Sequence, residues 1–438
     1  MTAESHRLGT TPRVRLQGEG AGSERDRGRW GLWAEANFRR LWIGETTSGL
    51  GTAVGQVSLP LVAVVVIRTS PFMVGLLTAA NWIPWLFLGL SAGAWVDRWP
   101  RRTVMLVCDL LLLLLFASVP LAAWLGVLTL WQLLAVALLT GSVRVFFTTA
   151  YKTLLPSLLP EADLMEGNVK LQSGAAAMDV AGPGAAGLIA QALGAATGLL
   201  ADSVSYLVSA LCLVLIRTPQ ARPAPDGRQS IRREIADGVR FVAHDPYLRT
   251  YASFAGLANL GLTGIQAVQT VFLVRTVGLR PGGVGAVFAA VSIGGLVGAA
   301  FAGRISRRFG NGRAMLICNL AIAPFLFLVP LAGRWLPLAV CAVAWAVAVG
   351  GVVAGNVIYG SFFQSYCPPE LLGRVSACAS TLSYGAIPLG ALLGGFLGGA
   401  VGSRAAIWIM AAILLSAGLV LLGSPIRGLR ELPERATA

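Results

Sequence analysis

Four ionisable side chains interrupt long apolar stretches of this 438-residue chain, and such groups suit proton or ion chemistry. They are Glu45, Asp109, Arg144 and Asp179. A charged group in an apolar stretch is energetically expensive, so its presence there favours a functional role. Asp109 and Arg144 fall at similar depth in neighbouring stretches, and the plainest interpretation of the two is a structural salt bridge.

Asp179 is the first candidate for a proton carrier. It lies near the middle of its stretch, one turn before Pro183, and a carboxyl group buried there could exchange a proton near neutral pH. Glu45 is the second candidate, and Asp109 with Arg144 completes the proton-coupling set. The alternative for each acid is a solvated or hydrogen-bonded structural role. Asp202 is expected to cap the helix that starts beside it.

The stretches that must position these groups are apolar enough to need lipid as their solvent. Hydrophobic residues make up 55% of the chain and charged residues 12%, whereas a soluble domain carries about 25% charged residues. A helix needs about 20 apolar residues to cross a bilayer. Twelve spans are predicted, at residues 41–66, 72–95, 103–125, 129–150, 165–193, 198–216, 248–274, 283–302, 314–332, 336–359, 372–400 and 404–423. The fold class is therefore an all-α integral membrane protein.

The basic residues predict how these spans are oriented. An even number of spans puts both chain ends on one side of the membrane. Of the 34 Lys and Arg residues, 28 then fall on that side, 5 fall on the other side, and Arg144 lies within a span. Basic loops face the cytoplasm, so both termini are predicted to be cytoplasmic. The net charge of +14 belongs to these loops, and no nucleic-acid partner is expected.

Three landmarks recur at nearly one offset, which predicts an internal duplication. The pairs are Pro160 and Pro369, Pro183 and Pro388, and Gly93 and Gly303, at offsets of 209, 205 and 210 residues. The predicted organisation is a flexible arm (1–36), a six-helix bundle (37–217), a linker with an amphipathic helix (218–247), a second six-helix bundle (248–423) and a tail (424–438). Two such halves with a site between them are a known transporter plan.

The segment from Gly93 to Arg102 joins spans 2 and 3 and reads GAWVDRWPRR. It resembles the loop 2–3 motif of the major facilitator superfamily, which runs Gly, three residues, Asp-Arg and a basic pair. Asp97 could lie at the positive N-terminal pole of span 11 and latch the two halves together. Arg98, Arg101 and Arg102 would bind lipid phosphates or nearby acids. The alternative is a simple basic anchor.

The segment GPGAAG at 182–187 resembles the antiporter motif of the same superfamily, with its glycine pair reduced to Ala186-Gly187. Pro183 bends a helix, and Gly182 and Gly187 let a neighbouring helix approach closely. The segment could therefore shape an outer gate, or it could serve ordinary packing. In the superfamily the motif marks exporters, so the resemblance favours efflux over uptake.

Further segments are similar to the bacterial enterobactin exporters and macrolide efflux proteins. They are NFRRLW at 37–42, SGLG at 48–51, LPL at 59–61, LLP at 154–156 and ADSVSY at 201–206. That branch commonly places an acid just after the SGLG turn, where this chain has Thr52. The resemblance implies a major facilitator fold in the bacterial inner membrane and proton-coupled efflux of an antibiotic or siderophore. The alternatives are an uptake symporter or facilitator, and a sensor without transport.

The substrate cavity is expected to be aromatic with few charges, which suits a bulky, partly hydrophobic molecule. The candidate contacts are Gln266, Gln269, Asn259, Phe146, Tyr359 and Tyr384. With no GxxxxGK[ST] segment and two histidines, the sequence predicts no ATP site, no metal site, no cofactor and no enzymatic role. The expected partners are a small molecule, protons and membrane lipids, with the chain acting as a monomer.

Overall fold

The computed structural model describes residues 31–89, 92–96, 98–160, 163–216, 240–320, 322–333, 336–367 and 369–433. These residues are almost wholly helical, with one isolated bridge between Ala332 and Leu336. The α-helices are α1 (Ala36–Leu61), α2 (Pro71–Leu88), α3 (Ala92–Val96), α4 (Arg101–Trp124), α5 (Leu130–Leu158), α6 (Leu164–Leu193), α7 (Ala195–Leu215), α8 (Pro246–Val271), α9 (Pro281–Phe309), α10 (Asn311–Leu320), α11 (Ile322–Leu326), α12 (Leu338–Tyr366), α13 (Pro369–Ala400) and α14 (Ser403–Leu422).

The helices coincide with the twelve predicted spans to within eight residues at each end. Two of the spans contain a pair of shorter helices, α2 with α3 and α10 with α11. Within the described residues, eleven helices are long and apolar enough to cross a membrane. The exception is α6, whose 30 residues are long enough but rich in Gly and Ala and interrupted by polar groups such as Asp179. The predicted arm and most of the predicted linker lie outside the described residues.

Capping side chains and prolines fix where several helices begin. Ser70 and Thr129 accept backbone N–H groups at the starts of α2 and α5. Asp245 does the same for α8 through the N–H groups of Tyr247 and Leu248. These side chains satisfy donors that the first turn of a helix leaves unpaired.

The backbone repeats itself at an offset of 210 residues. The helices α1 and α8 both end in a π-helical turn, at Val62–Val66 and Phe272–Thr276. In both halves the next helix begins with proline, at Pro71 and Pro281. The predicted duplication is therefore visible as two pseudo-symmetric bundles of six spans.

The same helix pairs pack in both halves. In the first half α1 packs against α6 and α7, and in the second half α8 packs against α13 and α14. The halves meet along two pairs, α2 with α13 and α6 with α9. We call the end of the bundle where α1 begins and α14 ends the terminal end, and the opposite end the distal end.

Glycines let the halves approach closely toward the distal end. A Cβ atom on Gly75 would lie 2.4 Å from the carbonyl oxygen of Ala391 and 2.9 Å from the Cα atom of Gly395. At the pseudo-symmetric crossing, a Cβ atom on Gly187 would lie 2.7 Å from the Cα atom of Gly285. No side chain fits at such distances, so these crossings hold the distal end closed.

Gly93 and Gly303 occupy equivalent positions of the two halves at the terminal end, and Cβ atoms on them would meet nothing within 4 Å. A small apolar cluster within the first half, which includes Phe38 and Met105, lies at this end of the bundle. The larger apolar core runs through both halves.

Candidate functional site

Each half encloses a cavity on the terminal side of the glycine crossings. The N-half cavity has a volume of about 250 Å³ and is lined from α1, α4, α5, α6 and α7. The C-half cavity has a volume of about 540 Å³ and is lined from α8, α10, α11, α12, α13 and α14. The two cavities differ in chemistry, because the described lining of the first includes charged side chains and that of the second includes none.

Arg144 forms the polar centre of the N-half cavity. Its Nη2 atom donates to the Thr52 hydroxyl and to the Tyr206 hydroxyl, each at 3.2 Å. Thr52 Oγ1 and Tyr206 Oη are themselves 3.0 Å apart. We call these three side chains the Arg144 triangle. The predicted salt bridge with Asp109 is wrong, since α5 is rotated so that Arg144 faces α1 and α7 instead.

Asp109 is fully buried between α4 and α7. Neither of its carboxylate oxygens has a hydrogen-bond partner of normal geometry among the described residues, although Ser209 is near enough to interact. Glu45 lines the N-half cavity and is within electrostatic range of both Asp109 and Tyr151. The acids of α1 and α4 are therefore within electrostatic range of each other, and of the two only Glu45 lines the cavity.

Asp179 lies on the wall of the same cavity but is exposed. The expected full burial is therefore not seen, because the side chain is open to the cavity. Its role as a proton carrier stays a prediction.

Asp202 does not cap a helix, so that prediction is wrong as well. The helix α7 begins at Ala195, which places Asp202 two turns inside it. The side chain is fully buried and faces α1, where a Cβ atom on Gly55 would lie 2.1 Å from Asp202 Oδ2. Arg144 is within electrostatic range of Asp202.

The C-half cavity contains three of the predicted substrate contacts. Asn259, Tyr359 and Tyr384 line it, and Asn259 also donates to the backbone carbonyl of Ser383 at 3.1 Å. The ring of Tyr359 stacks on that of Tyr251 with an interplanar angle of 6°.

Tyr384 lies where the C-half cavity meets the first half of the chain. Its ring packs against Trp82 and Trp85 of α2, with centroids 5.8 Å and 5.7 Å away. One aromatic wall of the cavity is therefore continuous with the other half.

The remaining predicted contacts lie elsewhere. Gln266 is exposed and Gln269 half-buried, and neither lines a cavity, although Gln266 continues the α8 face that Asn259 occupies. Phe146 packs into the apolar cluster at the terminal end, and the adjacent Phe147 lines the N-half cavity in its place.

The 182–187 segment joins three helices. A Cβ atom on Gly182 would lie 2.3 Å from that of Ala53 on α1. The backbone of Pro183 and Gly187 approaches Gly285 of α9 to within van der Waals contact. The segment therefore forms part of the distal contact between the halves.

The described residues include only part of the motif between Gly93 and Arg102. Asp97 lies outside the described residues, so its proposed latch stays a prediction. Arg98 is exposed and Arg101 is half-buried. Arg102 donates from Nε to the carbonyl of Leu213 at 2.6 Å, and its expected role in binding lipid phosphates or acids stays a prediction. A cation at the carboxyl end of α7 satisfies carbonyls that the helix leaves unpaired.

Two cavity residues, Tyr206 and Tyr251, were not predicted from the sequence and emerge from the packing. Tyr206 was grouped with a family segment but given no role, and Tyr251 was not singled out. For Tyr206 the available signal was its spacing, since it lies four residues after Asp202 and so one turn along the same helix face. No group of three or more His, Cys, Asp or Glu side chains among the described residues could hold a metal ion.

Two bundles of six spans, each with a cavity of its own, have the architecture of a multi-pass membrane transporter. The family described as transmembrane secretion effector matches residues 28–437. This chain belongs to that family, which is a branch of the major facilitator superfamily.

Curated relatives and solved structures agree with this assignment. The multidrug efflux pump Tap of Mycolicibacterium fortuitum is 31% identical over 404 residues, covering 88% of this chain and 94% of the pump. The enterobactin exporter EntS of Shigella boydii is 24% identical over 406 residues, covering 89% of this chain and 94% of the exporter. The nucleoside transporter NupG (D323A mutant) has the same fold, with a TM-score of 0.73 at 12% identity, covering 88% of this chain and 99% of that one.

Proposed function

We propose that this protein exports a drug or natural product, such as an antibiotic or siderophore, across the bacterial inner membrane in exchange for protons. The observation that carries the proposal is the division of chemistry between its two cavities. Ionisable groups line the N-half cavity, and aromatic and amide groups line the C-half cavity. Proton exchange and substrate binding can therefore occupy different halves of one molecule.

The C-half cavity suits a bulky and partly hydrophobic substrate. Its volume of about 540 Å³ lies within the range of small-molecule sites. Tyr359 and Tyr384 offer flat apolar faces, and Asn259 offers a polar group beside them. The names of the relatives Tap and EntS describe export of drugs and of enterobactin, and they support the outward direction.

The N-half cavity supplies the proton chemistry. Glu45 faces the cavity, and the buried Asp109 lies within electrostatic range of it. Two neighbouring carboxylates with little solvent repel each other, so a proton on one of them relieves the repulsion. This arrangement favours Glu45 over Asp179 as the group that exchanges protons with the cavity.

The basic loops support cytoplasmic termini, and the distal contacts then close the outer side. In that orientation the structure is an inward-facing state, which receives substrate from the cytoplasm and releases the proton to it. The predicted arm (1–36), linker (218–247) and tail (424–438) would all lie in the cytoplasm. We propose that a single chain carries out the whole cycle, because each half contributes one cavity.

The test uses purified protein in liposomes that contain a pH-sensitive dye. A proton gradient is imposed, and macrolides, other lipophilic antibiotics and siderophores are added in turn. We expect a compound-dependent proton flux that falls by about a hundredfold in Glu45→Gln. Glu166→Gln, an exposed acid outside the cavities, is the matched control and should keep the wild-type flux. Substrate movement without any proton flux in the wild type would contradict the proposal.

A further inference from the structure

Asp202 is a buried acid that the proposed coupling through Glu45 does not use. It is fully buried, and neither of its carboxylate oxygens has a hydrogen-bond partner of normal geometry among the described residues. Burying a carboxyl group without partners is costly, in either of its protonation states. If this position served packing alone, an apolar residue would stabilise the helix contact better than an acid. We therefore look for a chemical role for Asp202.

The surroundings of Asp202 contain one cation. Among the described residues, Arg144 of α5 and Tyr206 of α7 are the charged and titratable groups that act on it. The helix α1 faces it with glycine backbone. The acid of α4, Asp109, lies beside Ser209 instead, two turns further along α7. The carboxylate form of Asp202 therefore depends on Arg144 alone for its counter-charge.

Glycines on α1 make room for the carboxyl group. A Cβ atom on Gly51 would lie 2.8 Å from Asp202 Oδ1, and one on Gly55 would lie 2.1 Å from Oδ2. Any side chain at Gly55 would displace the acid, and the two glycines are one turn apart on the same face of α1. The site is therefore a pocket built between two helices.

Asp202 lies behind the Arg144 triangle. Arg144, Thr52 and Tyr206 all line the N-half cavity, whereas Asp202 does not. It is one turn nearer than Tyr206 to the distal end of α7, which is about 6 Å along the helix. Of the three triangle residues, Tyr206 and Arg144 both act on the acid and line the cavity, so they connect the two.

We propose that Asp202 is a proton-binding site of the transport cycle, reached from the N-half cavity through the hydroxyl groups of the Arg144 triangle. The proposal rests on the proposed function, because it assigns a second proton site to the same exchange. In the state with a closed distal end, a proton on Asp202 passes through the Tyr206 and Thr52 hydroxyls to cavity water. The carboxylate that it leaves is neutralised by Arg144.

The position of Asp202 suits alternating access. Because it lies on the distal side of the triangle, opening the distal end would bring it close to solution on the other side of the membrane. It would then bind a proton from that side, and Arg144 would lose its counter-charge. One proton per cycle thus enters from the distal side and leaves toward the terminal side, opposite to an exported substrate.

The test reads the proton on the acid directly and needs no substrate. Infrared difference spectra of the protein in lipid are recorded between alkaline and mildly acidic buffer. We expect the absorption of protonated carboxylic acids to contain one component that is present in the wild type, in Glu166→Gln and in Glu45→Gln, and that is lost in Asp202→Asn. An unchanged band in Asp202→Asn would overturn the proposal, whatever the transport activity.

A second pair of measurements separates this proposal from the proposed function. If Asp202→Asn fails to reach the membrane, the Thr52→Val and Tyr206→Phe double variant takes its place. It should keep the band but exchange its proton for deuterium about tenfold more slowly, since the hydroxyl path is gone. An unchanged exchange rate would overturn the path. A wild type that shows the band but no proton flux would refute coupled efflux while leaving the proton site intact.

Discussion

At the scale of single residues, the N-half depends on how Arg144 is held. One of its nitrogen atoms donates to both Thr52 and Tyr206, which are on different helices. A lysine at this position would keep the charge but not the planar, multiple donors of a guanidinium group. The contacts of Arg144 therefore matter as much as its charge.

The contacts of Arg144 predict how Arg144→Lys changes the transport rate. We expect the initial rate of gradient-driven transport to fall by about tenfold, and to fall further in Arg144→Gln, which also removes the charge. The rates are measured in liposomes and normalised to the amount of reconstituted protein. Equal rates in wild type and Arg144→Gln would show that the triangle has no part in transport.

The stacked ring of Tyr359 leads to a prediction about substrate binding in the C-half cavity. Replacing it with alanine removes one stacked aromatic wall, worth about 1 kcal/mol, or about fivefold in KM. We expect kcat to change little, because the loss concerns binding. Tyr359→Phe keeps the ring and is the matched control, with a KM near the wild-type value. A fall in kcat at unchanged KM in Tyr359→Ala would argue against a binding role.

Single residues were the hardest part to predict from the sequence. Glu45, Tyr359 and Tyr384 were found because a polar or aromatic group in an apolar span is conspicuous. Phe146 was chosen where Phe147 lines the cavity, because a rotation of about 100° per residue decides which neighbour faces inward. Asp202 was misassigned because α7 begins seven residues before that acid, at Ala195.

At the scale of the helices, closure of the distal end depends on glycines. Gly75 of α2 and Gly395 of α13 belong to different halves of the molecule. A Cβ atom on Gly395 would lie 3.0 Å from the Cα atom of Gly75. A larger residue would force α13 away from α2. Overpacking of this kind costs about 1–3 kcal/mol, which is enough to shift a conformational equilibrium about fivefold or more.

We therefore predict that Gly395→Leu favours a state with an open distal end. Gly399→Leu, one turn further along α13, is the control, because a Cβ atom there would meet nothing within 4 Å. Distances between spin labels on the distal ends of the two halves should lengthen in the first variant and not in the second. Equal distributions in both variants would contradict the role of this crossing.

The helices themselves were largely predictable. Long apolar runs fixed the spans, and the repeated landmarks fixed the pairing of the two halves. The π-helical turns at Val62–Val66 and Phe272–Thr276 were not predicted, because neither segment contains Pro or Gly to mark a change of winding. Their recurrence at one offset shows that both halves kept the same backbone while their side chains diverged.

At the scale of the whole molecule, two similar backbones carry different chemistry. The acids within the predicted spans all belong to the first half, namely Glu45, Asp109, Glu166, Asp179 and Asp202. The second half (248–423) has only Glu370, at the start of α13. This asymmetry is visible in the sequence, but the sequence does not show that the charges and the aromatic groups form separate cavities, because that depends on the rotation of every helix.

The predicted orientation, with both termini in the cytoplasm, can be tested by cysteine labelling. A cysteine introduced at Gly126, between α4 and α5, should react with a membrane-impermeant maleimide in intact spheroplasts. A cysteine introduced at Glu431 should react only after permeabilisation, because the basic loops place the terminal end in the cytoplasm. The unmodified protein is the control, since its five described cysteines are buried or half-buried. The reverse pattern would place the termini outside.

The most direct test of the whole account measures the direction of substrate movement against that of protons. Inverted membrane vesicles are loaded with acid inside, and a labelled macrolide or siderophore that gave a proton flux in liposomes is added outside. We predict accumulation of the compound inside, collapse of that accumulation when the gradient is dissipated, and its absence in Glu45→Gln. Accumulation that is indifferent to the gradient, or that requires the opposite gradient, would contradict proton-coupled efflux.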